Sequence, residues 1–216
     1  MNLNLDFETW RDPKRRFALN SKRDHVVRGD GAPYGYGQLE KYRPFAAEIP
    51  NKLLMAFAKV VEKDDAVAFV NDFGPLTPAG FVSKSGDPVQ DILRVAKTVR
   101  RILEAAADAE FGDLPAKIED FWPEADAVAI QVKVRLVPNM EAARDPLLVG
   151  SVRSLRDAIF IILGSRLANG DQFRICKHCR TVFDVGPGAA SKRNLKAAYC
   201  SDDHRKDFNL EHDKRK

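Results

Sequence analysis

The chain has 216 residues, with 35 Lys+Arg against 31 Asp+Glu, 44% hydrophobic and 31% charged residues. That composition excludes a chain disordered throughout and suits one large domain, or a body with a small appendage, able to bury a core without disulfides. The net charge of +4 is local: residues 172–216 carry eleven Lys+Arg against six acids, a net +5, and the rest comes to −1.

In chain order, LNLDF near the start alternates like a short strand, and the following GDGAPYGYGQLEKYRP reads as loop, because its glycines lack the GK[ST] ending of a phosphate loop. Leu53, Leu54, Phe57, Val60 and Val61 recur at helical spacing over Pro50 to Val61. Ala66, Phe69, Val70 and Phe73 repeat the pattern over Asp65 to Phe73, where Gly74-Pro75 stops the helix. A longer helix is expected from Asp87 to Phe111, with Pro88 in its first turn and an apolar stripe from Ile92 through Val99 to Ala106. Arg94, Lys97, Arg100 and Arg101 form its solvated face.

Residues 126–138, DAVAIQVKVRLVP, alternate with period two, the signal of a half-buried strand. In DPLLVGSVRSLRDAIFIILGSRLANG, Asp145 and Pro146 are read as starting a helix that Gly170 ends, its wide apolar face marking it as the centre of the body. The turn Asn169-Gly170-Asp171 separates an α-rich body, 1–171, from a C-terminal module, 172–216. The expected class is α+β, mainly α: a helical body with a small β component, followed by a knuckle-hairpin-helix module. GxSxG, HExxH and GxGxxG are absent, and Asp64-Asp65 has the position of a helix cap. The chain is therefore read as a non-enzyme whose body has a ligand the residues do not specify.

All three cysteines, Cys176, Cys179 and Cys200, lie in the basic C-terminal fifth. An odd, clustered count argues against a secreted disulfide scaffold, and MNLNLDFETWRDPKRR lacks the apolar stretch of a secretory signal. The best apolar run, Ile159 to Gly164, falls far short of the roughly 20 residues that span a bilayer. A reducing cytoplasm, away from membranes, is the expected compartment.

Cys176-x2-Cys179 would turn two thiolates from a tight knuckle toward one ion, and Cys200-x3-His204 would place a cysteine just before a helix and a histidine in its first turn. Ser201 is well placed as the N-cap of that helix. His204 is favoured as fourth ligand over His178, which neighbours Cys179 in the knuckle, and over His212, about 12 Å further along the helix; Asp203 or a water is the remaining alternative. Three thiolates and an imidazole favour Zn²⁺, and four protein ligands make the site structural. The pair follows a helix and turn rather than a strand-to-helix junction, so a redox Cys-x2-Cys is disfavoured.

Cys176, Cys179 and Phe183 in C-x2-C-x3-F, a Gly/basic linker and then YCSDDHRKDFN resemble the C-terminal zinc module of bacterial proteins of the CGNR zinc-finger group, which join an α-rich N-terminal domain to such a finger. DAVAFVNDFGPL, and RLVP before a long apolar helix, resemble the bodies of similar proteins. The CGNR tetrapeptide is absent, and His204 stands where that group has cysteine. The resemblance implies a treble-clef-like zinc site and a DNA-binding transcription regulator.

A nucleic-acid partner, DNA or RNA, would be met by Lys192, Arg193 and Lys196 in the loop and by Arg205 and Lys206 on the helix. Against sequence-specific reading, the same helix carries Asp202, Asp203, Asp207, Glu211 and Asp213, which would face phosphates unfavourably. The alternative is a zinc-stabilised protein-interaction module, with Ile175, Val182, Phe183, Tyr199 and Phe208 as the finger's own core. A homodimer suits a regulator, although no heptad seam marks one.

Overall fold

The computed structural model describes residues 4–5, 9–11, 17–28, 40–42, 44, 49–77, 86–108, 132–137, 147–152, 154–186, 189 and 193–213. Within them the helical periodicities become four helices that share one core. Helix α1 (Ile49–Ala58) buries Leu53, Leu54 and Phe57, and α2 (Lys63–Phe73) buries Ala66, Phe69 and Val70. Helix α3 (Val89–Asp108) buries Ile92, Val95, Ala96, Val99, Ile102 and Leu103, and α4 (Leu155–Ala168) buries Leu155, Ala158, Ile159, Ile162 and Leu163. Each large apolar side chain so buried contributes about 1.5–3 kcal/mol. α1 lies against α3 and α4, and α2 packs on α3. The mainly helical α+β class holds.

The ends of these helices follow from local chemistry. The Asp65 carboxylate accepts the backbone N–H groups of Val61 and Glu62 at 3.0 and 2.9 Å, a reciprocal box that starts α2 two residues earlier than the apolar pattern. Gly74, at φ 87°, ends α2 by donating its N–H to Val70 O at 2.8 Å. α1 is closed by Arg100 of α3, whose Nε and Nη2 donate to Ala58 O and Val60 O at 2.8 and 2.6 Å. Arg100 is thus a cap for a neighbouring helix rather than part of a solvated face.

Three sequence expectations are corrected. Pro88 does not begin α3: β6 (Asp87–Pro88) pairs with β4 (His25–Arg28), which pairs with β3 (Phe17–Leu19). Asp87 is held there by the Leu76 N–H and the Thr77 hydroxyl, both donating at 2.6 Å, so the chain enters the helix at Val89. The helix expected from Asp145 begins only at Leu155, because Leu147–Val152 is a strand, β8. It runs antiparallel to β7 (Val132–Val137) and parallel to β1 (Asn4–Leu5), in the order β1-β8-β7. Ser154 is the true N-cap, its hydroxyl accepting the Asp157 N–H at 3.0 Å. Finally, Glu40–Tyr42, expected as loop, is β5, antiparallel to β2 (Thr9–Arg11). Residues 29–39, 109–131 and 138–146 lie outside the described residues.

The last elements are a hairpin, β9 (Gln172–Ile175) and β10 (Val182–Val185), and helix α5 (Asp202–Asp213). α3 packs on both hairpin strands and α1 on β10. Phe173 and Val182 belong to the buried core of the helices, whereas Cys176, Phe183 and Val185 form a separate cluster with Ala197, Tyr199 and Cys200. The hairpin therefore has one face in the body and one in the finger, and Ile175 and Val182, expected in the finger's core, face the body. Among the described residues no helix is long and apolar enough to cross a membrane.

Candidate metal centre

The hairpin turns through Cys176 to Thr181. Cys176 N–H donates to Thr181 O at 3.0 Å and Arg180 N–H to Cys176 O at 2.9 Å, with Arg180 in the left-handed region at φ 59° to complete the tight knuckle. Lys177 N–H donates to Ala198 O at 3.0 Å, which ties the knuckle to the segment that carries Cys200. Ser201 caps α5 by accepting the His204 N–H at 3.1 Å, and so fixes the first helical turn from which His204 projects. Tyr199 and Phe208 bring their rings to 5.5 Å and hold α5 against its own lead-in.

This local folding brings the four expected ligands together. The ligand atoms of Cys176, Cys179, Cys200 and His204 all lie within 4.8 Å of one another, so the cluster could hold a metal ion. Cys179 Sγ and Cys200 Sγ are 3.7 Å apart, and Cys176 Sγ is 3.8 Å from His204 Nδ1. Bonds of about 2.3 Å to sulfur and about 2.0 Å to nitrogen, set at tetrahedral angles, give ligand separations of about 3.5–3.8 Å. Cys200 Sγ and His204 Nδ1, at 2.9 Å, are at hydrogen-bond distance, a contact that an ion would replace and open.

Electrostatics favour a cation at this point. Burial opposes ionisation of Cys176, but the backbone N–H groups of Cys179, Cys200 and His178 outweigh it and bring the thiol down to about 6. Cys200 is pushed up to about 12 by burial and by the sulfurs of Cys179 and Cys176 beside it. Three sulfurs this close cannot all ionise on their own, and a dication relieves that conflict. Cys176 is buried, while Cys179 is the most exposed of the three thiols.

The competing histidine does not join the cluster. His178 lies with its ring 4.9 Å from that of His204, tilted by 38°, and packs on the ligand instead of ligating. Asp203 is 85% exposed and pairs with Lys206 at 3.6 Å. The side chain of His212 lies outside the described residues.

The basic positions of the segment are placed as follows. Arg193 Nη1 meets Asp202 Oδ1 at 2.9 Å, Arg205 reaches the same oxygen at 3.6 Å, and Lys206 pairs with Asp203. Arg193 holds the Asp202 carboxyl below its ordinary value. Lys196 is exposed, and Lys192 lies outside the described residues.

Two features escaped the sequence reading. Arg166, at the end of α4 and 8% exposed, donates from Nε to Asp171 Oδ2 at 2.6 Å and from Nη1 to Asp184 Oδ2 at 3.3 Å, linking the body to β10. An arginine on an apolar helix face and an aspartate inside VFDV were the available signals. In addition, Cys179, Cys200 and His204 form one wall of a cleft of about 850 Å³ whose other wall includes Lys52, Met55 and Phe69 of α1 and α2. No family model, curated protein or solved structure matches this chain.

Proposed function

We propose that Cys176, Cys179, Cys200 and His204 hold one Zn²⁺ in a structural site of treble-clef-like type, and that the protein is a cytoplasmic nucleic-acid-binding protein of transcription-regulator kind. The gathering of three sulfurs and one imidazole nitrogen within 4.8 Å of one another, with Cys179–Cys200 and Cys176–His204 at 3.7 and 3.8 Å, carries the first part. Soft thiolates select Zn²⁺ over Mg²⁺ or Ca²⁺, and four protein ligands leave no open position for a substrate. When bound, the ion supplies a cross-link between knuckle and helix that the small cluster of Phe183, Val185 and Tyr199 could not supply alone. The resemblance of C-x2-C-x3-F and YCSDDHRKDFN to the CGNR zinc-finger group supports the regulator part.

A second reading, a zinc-stabilised interaction module without nucleic acid, is favoured by the pairing of Arg193, Arg205 and Lys206 with Asp202 and Asp203. Chelation tests the structural role. Hydrogen exchange should accelerate across 176–181 and 193–213 on removal of the metal, while α1, α3 and α4 keep their protection. Exchange unchanged throughout would refute a metal that holds this segment.

A further inference from the structure

The three thiols of the metal centre are not equally shielded. Cys176 has no exposed surface and packs with Phe183 and Val185. Cys179 is exposed and Cys200 half-buried. Both of these, with His204, line the cleft between the finger and helices α1 and α2, whereas Cys176 is not part of its lining. The cleft thus gives a small solute access to Cys179 and Cys200 but not to Cys176.

The two accessible sulfurs are also placed to bond to each other. Cys179 Sγ and Cys200 Sγ stand 3.7 Å apart, and a disulfide measures about 2.05 Å, so an approach of about 1.7 Å closes it. The backbone beside them is already joined, because the Lys177 N–H donates to Ala198 O at 3.0 Å and holds the knuckle against the lead-in to α5. Thr181 Oγ1 lies 3.3 Å from Cys179 Sγ, where its hydroxyl can donate to an oxygen leaving that sulfur.

We propose that Cys179 and Cys200 form a site of oxidation by hydroperoxides, closing to a disulfide that unloads the metal centre. The proposal rests on the zinc reading above and pairs Cys179 with Cys200, not with Cys176 of the same knuckle. Cys179 Sγ, as thiolate, attacks the terminal peroxide oxygen; the O–O bond breaks, and the departing alkoxide takes up a proton to become an alcohol, or water where the oxidant is hydrogen peroxide. Cys200 Sγ then attacks the sulfenic sulfur left on Cys179, the S–S bond forms, and hydroxide departs and is protonated to water. Two thiolates, one hydroperoxide and two protons thus give one disulfide, one alcohol and one water. The sulfurs give up two electrons and the peroxide bond takes them. Cys176 and His204 then remain as two donors where a structural zinc site needs four, and the ion is released.

The test uses the full-length protein, purified reduced and zinc-loaded, and treated with hydrogen peroxide beside a zinc-chelating dye. Samples taken over time are alkylated, digested and mapped by mass spectrometry. Zinc should leave in step with a Cys179–Cys200 cross-link while Cys176 is recovered alkylated, and dithiothreitol with added zinc should restore the starting state. Limiting iodoacetamide on untreated protein should label Cys179 at least about tenfold faster than Cys176. Thiols that stay reduced under peroxide, a dominant link through Cys176, or zinc lost with no disulfide would overturn the proposal. Reduced protein that binds no zinc would instead overturn the zinc reading, and the same mapping of the metal-free chain would decide by itself whether Cys179 and Cys200 pair.

Discussion

Arg166 is the side chain on which the joint between body and finger should depend most. Its guanidinium lies 5.0 Å from the centre of the Phe173 ring and bonds Asp184, which is 1% exposed, at 3.3 Å. At an effective dielectric of about 20, unit charges at that distance attract by about 5 kcal/mol. Removing one partner of a buried pair costs about 3–5 kcal/mol, because the other charge stays behind in the interior. The contact with Asp171, itself 38% exposed, adds little after solvent screening. Arg166→Met should therefore lower stability by about 3–5 kcal/mol, seen in urea denaturation and as a fall in melting temperature of about 6–20 °C for a chain of this size. Arg166→Met combined with Asp184→Asn should recover a substantial part of the loss, a coupling of up to about 3 kcal/mol. A loss below about 1 kcal/mol, or strictly additive effects in the double variant, would refute the idea that this ion pair joins the two parts.

Two further outcomes follow from the same chemistry. Cys176, brought down to about 6, is already a thiolate at neutral pH, whereas Cys200, pushed up to about 12, must lose its proton to bind a metal. Zinc uptake should release at least one proton and tighten as pH rises, measurable by calorimetry in buffers of different ionisation enthalpy; binding without proton release would contradict this. At Asp87, burial raises the carboxyl above 3.8 despite its hydrogen bonds from Thr77 and Leu76. The folded state then holds that proton more tightly than the unfolded one, so this stabilising term is complete below 3.8 and fades as pH rises through the folded value. Asp87→Asn should flatten stability over that window in pH-dependent denaturation. Asp87→Ala should cost about 1–3 kcal/mol by leaving the Leu76 N–H without its acceptor. Equal stability of the Asn and Ala variants would show that these bonds carry nothing.

The helical stripes of α1, α2 and α3 were legible because their apolar residues repeat with one period over whole turns, and the metal cluster because its ligand types and spacings leave little choice. Leu147–Val152 was not, since a short apolar run fits strand or helix equally until its partners are known, and those are at Asn4–Leu5 and Val132–Val137. The capping role of Arg100 and the Arg166–Asp184 pair connect residues 40 and 18 positions apart, respectively, and no local pattern announces such contacts. Arg94, Lys97, Arg100 and Arg101 were visible on one helix, but only the approach of Arg156 and of the end of α1 makes that face one side of a groove.

Native mass spectrometry of the full-length chain, purified without chelators, addresses the metal centre most directly, paired with absorption spectra after Co²⁺ replacement. One zinc per chain should be found, Cys176→Ser and His204→Ala should each lower its retention, and Co²⁺ should give the intense thiolate bands of a tetrahedral site. A chain that is metal-free yet equally stable, or that keeps its zinc with Cys176 and Cys200 both changed to serine, would contradict the four-ligand site.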